Sequence, residues 1–208
     1  MEKDDSAVFS LSGGSDDHLR DQREGESRMT APDAVASPRT GIAMGDEPLG
    51  SVLFTLSLVL VLSSVLALRF MGLGAAPDVS LVELAFWAVL ILVMNLVPFS
   101  AGELSFTLDT PLLLTVALLY PPEVASVVAF VGSMDLREVL RQVGPLRALF
   151  NRTQIALSVL FAALVFRLIT DGALNPWTRA ALGTAAAFLT FHAVNGATVG
   201  VHTALRSG

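Results

Sequence analysis

The chain contains no cysteine. Disulfides, thiolate metal sites and a cysteine nucleophile are therefore excluded. Charge is scarce too: 15% of the 208 residues are Asp, Glu, Lys or Arg, against about a quarter in an average soluble domain. The scarcity is uneven, because eleven of the nineteen acidic residues precede Gly50. The net charge of -6 belongs mostly to that first segment, and nothing left resembles the basic surface that nucleic acid requires. No glycine-rich phosphate loop and no HExxH pattern occurs. The scattered Ser, His and Asp residues do not allow a triad to be argued. Neither a cofactor nor an enzymatic activity is expected of these residues. The acidic start, with no apolar run in the first thirty residues, also argues against a secretory leader.

What is abundant is apolar sequence: 53% of residues are hydrophobic and the mean hydropathy is +0.65. Residues 1–50 stand apart, being rich in Asp, Glu, Ser, Gly and Pro without a periodic apolar face. Such a segment cannot offset its ordering entropy, so a disordered acidic tail is expected there. Over residues 51–206 the expected fold is all-α, a polytopic membrane bundle of about six transmembrane segments. Ser51–Met71 and Leu81–Phe99 are the first two, since a span needs about 20 apolar residues. Glu83 and Trp87 lie near one end of the second, where charges and aromatics anchor at interfaces. Ser105–Tyr120 and Glu123–Met134 are short for independent crossings. They are interrupted by Asp109-Thr110-Pro111 and separated by Pro121-Pro122. They are either short tilted spans or broken, partly re-entrant helices, which in transporters often mark binding sites. Asn151–Ile169 and Thr178–Leu205 complete the set.

Between the fourth and fifth segments, Asp135–Arg152 holds Arg137, Arg141, Arg147 and Arg152. Excess arginine keeps such a loop in the cytoplasm. Counting crossings backwards places the N-terminus there too, in a multi-pass protein of the bacterial inner membrane.

Polar residues inside the apolar segments are the candidate ligand-binding residues. A charge at the centre of a span costs roughly 2.5–3.5 kcal/mol on insertion scales, which singles out Asp109. Either it contacts a ligand or cation, or it caps a helix that begins near Pro111. Asn151, Gln154 and Ser158 are spaced i, i+3, i+7 and share one helix face. His192, Asn195 and His202 form a similar stripe on the last segment. These amides and histidines either bond across a helix interface or line a polar cavity for a small ligand. Gly196 with Gly200, and Gly183 with Ala187, have the four-residue spacing that lets helix backbones approach. The two histidines ten apart lack metal-site spacing.

The run LSFTLDTPLLLTVALLYPPEVASVVAFVGS, the arginine-containing loop and LFNRTQIALSVLFAALVF together resemble the N-terminal membrane region of bacterial HD-GYP or GGDEF cyclic-di-GMP signalling proteins. Leu149-Phe150-Asn151 and Gln154-Ile155-Ala156-Leu157-Ser158 carry the likeness best, with Ala193-Val194-Asn195 in the last segment. It spans residues 81–206. Asp109 and Pro121-Pro122 depart from the pattern, and no HD, GYP or GGDEF motif stands in the 208 residues. The resemblance implies a sensor or anchor, with the catalytic output supplied in cis or in trans. The expected partners are the lipid bilayer, a small-molecule ligand, a cytoplasmic signalling domain and a second copy of the chain. Six segments with a short broken pair also suit the small-molecule-binding membrane subunit of a transporter.

Overall fold

The structure, a computed structural model, describes residues 47–72, 79–96, 99–101, 104–106, 109–173 and 175–207. The expected tail therefore lies outside the described residues up to position 46. Seven helices are described: α1 Leu49–Gly72, α2 Leu81–Leu96, α3 Asp109–Leu119, α4 Pro122–Gly132, α5 Leu136–Val139, α6 Pro145–Thr170 and α7 Pro176–Ser207. One minor element departs from the all-α expectation. β1 Phe99–Ala101 pairs antiparallel with β2 Leu104–Phe106 in the register Phe99↔Phe106, Ser100↔Ser105, Ala101↔Leu104. The segment expected to be apolar helix from Ser105 thus begins extended, and its helix starts at Asp109. The local pattern accounts for this: apolar and polar residues alternate over Leu104–Thr107, a strand period. Asp109 and Pro111 are then typical of a first helical turn.

Two described helices are long and apolar enough to cross a membrane, Leu49–Met71 and Pro145–Thr170. α2, α3 and α4 are apolar but shorter. α1 does not behave as the core helix of a soluble domain, because only 17% of its most apolar window is buried inside the molecule. Its Leu53, Leu56, Leu60, Leu68 and Phe70 are exposed, as are Leu182, Phe188 and Leu189 on α7. An apolar exterior of this extent marks a surface meant for lipid or for another chain.

Contacts at the helix ends give the directions of travel. Glu47 pairs with Arg206, Gly50 packs beside Leu205, and Phe54 lies 6.3 Å from Phe150 between ring centroids. The start of α1, the start of α6 and the end of α7 therefore share one end of the molecule. Glu138 reaches Arg152 there as well. Toward the opposite end, Tyr120 donates to Glu83 and accepts from Trp87 Nε1 at 2.9 Å, while at the other end of α4 Asn95 Nδ2 donates to Gly132 O at 3.4 Å. α2 and α4 accordingly run the same way, with α3 returning between them.

The core forms where the α3–α4 hairpin packs on α6 and α7. Leu113, Val116, Ala117, Val124, Val128 and Ala129 meet Val159, Ala162, Ala163, Ala187 and Phe191. The alanines of α6 allow this approach, since small residues let helices close on one another. Pro121 ends α3 and Pro122 starts α4 in the N1 position, where a missing N–H costs nothing. Gly132 is a point of close approach: a Cβ there would stand 3.0 Å from the backbone oxygen of Ala88. Several hydroxyls within the helices are satisfied by their own backbones. Thr55, Thr115, Ser158 and Thr198 each donate to the carbonyl four residues earlier, all at 2.8 Å.

Candidate functional site

α6 begins at Pro145, six residues before the segment expected from hydropathy. Gly144 stands at its N-cap position with φ -62° and ψ 148°, and Pro145 occupies the first turn. Arg147 and Arg152 therefore belong to a helix and not to an irregular loop. The chain enters this helix from a compact turn. Arg141 has φ 54°, the left-handed region usually left to glycine. The Gln142 N–H donates to Arg137 O at 2.8 Å and the Arg141 N–H to Glu138 O at 3.0 Å, closing α5 much as a Schellman motif does.

This geometry opens a cleft of about 720 Å³ at the arginine-rich end. Arg147, Phe150 and Asn151 line it from α6, His202, Thr203 and Arg206 from α7, and the 135–143 segment closes one side. Its volume lies in the range of small-molecule sites. Gln154 forms the inner limit, where the cleft meets the α6–α7 interface. There Gln154 Nε2 donates to Asn195 Oδ1 at 3.0 Å, and Thr198 Oγ1 reaches Gln154 Oε1 at 3.5 Å. His202 is almost fully buried, its ring stacked on Phe150 at 3.9 Å with 18° between planes.

The sequence-predicted residues separate into three groups. Asn151 and Gln154 line the cleft, and Asn195 is bonded to Gln154 behind it. Ser158 is wholly buried one turn further on, its hydroxyl donated to Gln154 O. It does not line the cleft. His192 is exposed and makes edge-type ring contacts with Phe188 at 4.4 Å and Phe191 at 5.4 Å. The α7 stripe is thus divided. At about 100° per residue, Asn195 and His202 fall nearly in line, while His192 is turned some 60° away from Asn195.

Asp109 lies away from the cleft, as the first residue of α3. It is 7% exposed, and its Oδ1 has no hydrogen-bond partner among the described residues. No first-turn amide donates to its carboxylate, so the capping arrangement is not formed.

Sequence reading missed Arg147, Arg206 and Gln142. The first two were within reach of it. Arg147 is four residues before Asn151 and Arg206 four after His202, so each polar stripe continues one turn toward the same end. Three ion pairs surround the cleft: Arg152–Glu138 at 2.6 Å, Arg137–Asp135 at 2.7 Å and Arg206–Glu47 at 3.3 Å. Arg147 has no ion pair among the described residues. No cluster of three His, Asp or Glu side chains able to hold a metal is found among those residues. The arrangement places hydrogen-bond donors around a cavity. No protein-family model matches the chain, and no curated protein or solved structure matches it either.

Proposed function

We propose that the chain is the non-enzymatic, membrane-embedded input module of a bacterial cyclic-di-GMP signalling system of the HD-GYP or GGDEF type. Its output acts in cis or in trans on the cytoplasmic side. In this reading the helical segments alternate direction through the inner membrane. The N-terminal side of α1, the arginine-rich segment and the end of α7 all face the cytoplasm. α3 and α4, each about 17 Å long, form a hairpin too short for the roughly 30 Å hydrocarbon core and are packed within the bundle.

The observation that carries the reading is the position of the cleft. It lies at the foot of α6 and α7, beside the start of α1. A ligand there touches the elements through which a change in helix packing leaves the bundle. Such a ligand shifts the packing only by binding one arrangement better than another.

The test joins topology to output. Fluorescent and periplasmic-activity reporters inserted at Gly144 should be active on the cytoplasmic side alone. Deleting the gene should change the cellular cyclic-di-GMP level, read with a dinucleotide-responsive reporter. An unchanged level rules out the signalling reading. Loss of uptake of a small molecule in its place would make the chain a transporter subunit.

A further inference from the structure

The cleft is one-sided in its hydrogen bonding. Both of its carboxylates are engaged, Asp135 by Arg137 and Glu138 by Arg152. Arg147, Asn151 and His202 line the same cavity, and their side-chain N–H groups have no hydrogen-bond or ion-pair partner among the described residues. Arg206 is held, but loosely. Its Nε lies 3.3 Å from Glu47 Oε2, with the two side chains 38% and 32% exposed. An exposed pair of this kind is weak and screened by salt.

We infer that the cleft binds a phosphate group, belonging either to a free phosphorylated molecule or to the headgroup of an inner-leaflet lipid, and takes Arg206 from Glu47 in doing so. The donors come from α6 and α7 on different sides of the cavity. A tetrahedral oxyanion can accept from several directions at once, whereas a planar carboxylate is served best by one guanidinium fork. Displacing Glu47 has a consequence at the start of α1. Glu47 stands two residues before α1, so an anion bound to Arg206 removes the ion pair that joins the beginning of α1 to the end of α7. This assignment rests on the ligand-cleft reading above and supplies the class of ligand.

The experiment uses the full chain in nanodiscs, with thermal unfolding and equilibrium binding as readouts. One arm titrates inorganic pyrophosphate into phosphatidylcholine discs. The other compares phosphatidylcholine discs with discs that include phosphatidylglycerol. Stabilisation by pyrophosphate assigns a free ligand, and stabilisation by phosphatidylglycerol alone assigns a lipid headgroup. No response in either arm overturns the inference. Arg147→Gln should weaken the response about tenfold or more, as expected for losing a charge-assisted bond. Glu47→Gln should strengthen it about two- to fivefold by removing a weak competitor. An Arg147→Gln variant that binds as well as the parent, or a Glu47→Gln variant that gains nothing, also overturns it. Binding that leaves cyclic-di-GMP unchanged rules out the signalling reading and keeps the site. A cyclic-di-GMP effect without binding does the reverse.

Discussion

The α6–α7 pair and the α3–α4 hairpin bury polar groups in opposite ways. Along the α6–α7 seam the groups are matched: Gln154 with Asn195, Ser158 with Gln154 O, Thr198 with Val194 O. The hairpin is matched only in part: Ser126 Oγ donates to Glu123 O at 2.9 Å, but other buried polar atoms there are not met. Asp109 Oδ1 and Ser133 Oγ are buried without partners among the described residues. Thr153 Oγ1, the third such atom, stands on α6 but about 100° round from Gln154 and so off the seam. Two long helices can slide and rotate until amides meet. A hairpin of two eleven-residue helices, fixed by Pro121-Pro122 at one end and by Gly132 against α2 at the other, lacks that freedom. Shape therefore holds the hairpin, and hydrogen bonds give the pair its register.

The contrast can be broken most severely at Gly132. A Cβ there would lie 3.0 Å from Ala88 O and 3.0 Å from Ile91 Cβ, and a backbone oxygen cannot swing aside. Gly132→Leu should destabilise the protein by about 3 kcal/mol, at the upper end for overpacking, and should prise α2 from α4. Thermal unfolding in detergent checks the size. Crosslinking between cysteines introduced on α2 and α4 checks the mechanism. A variant that unfolds like the parent would mean that the hairpin is not held by shape.

Asp109 tests the other half of the contrast. Its carboxylate is buried without compensation at Oδ1, and an unsatisfied buried acceptor costs about 1–3 kcal/mol. Asp109→Asn keeps the shape and removes the charge, so unfolding should become harder by about 1 kcal/mol. A loss of stability would show that the carboxylate has a partner in the membrane, such as a cation.

These two regions were unequally legible in the sequence. The face shared by Asn151, Gln154 and Ser158 follows from helical periodicity, and the hairpin turn from two adjacent prolines. The start of α6 was hidden because hydropathy reports where lipid would end, and Pro145–Phe150 continues the helix into a more polar setting. The Glu83–Tyr120–Trp87 cluster joins residues 33 and 37 apart, which no local pattern displays. Glu83 and Trp87, read from the sequence as residues near a span end, also tie α2 to the turn of the hairpin. The glycine spacing on α7 was half informative. Gly183 does meet α6, with Phe166 Cδ2 3.0 Å from its would-be Cβ, while Gly196 and Gly200 have nothing within 4 Å. Periodicity identifies a face, but only packing shows whether that face is used.

That division makes Gly196 a sharper probe than its spacing suggests. With open space beside it, Gly196→Ala meets no clash and gains the helix propensity that glycine lacks, about 0.8–1 kcal/mol. Gly183→Ala must push against Phe166 and should gain less. The difference between the two, measured by thermal unfolding of otherwise identical proteins, separates a glycine required by packing from one that is not. A destabilised Gly196→Ala would reveal a second chain seated on that face.

The smallest effect is expected at the seam itself, and it is the most specific. Interhelical hydrogen bonds in membrane proteins average about 0.6 kcal/mol, because the separated helices also find partners. Gln154→Ala and Asn195→Ala should each cost little, and a double-mutant cycle should return a coupling near that value. Thr198 limits the size further, since it already reaches Gln154 Oε1 and offers a substitute contact. A coupling indistinguishable from zero would place Gln154 with the unmatched residues of the hairpin and erase the contrast. A coupling several times larger would mean that the seam excludes its alternatives, as a two-position switch beside the cleft requires.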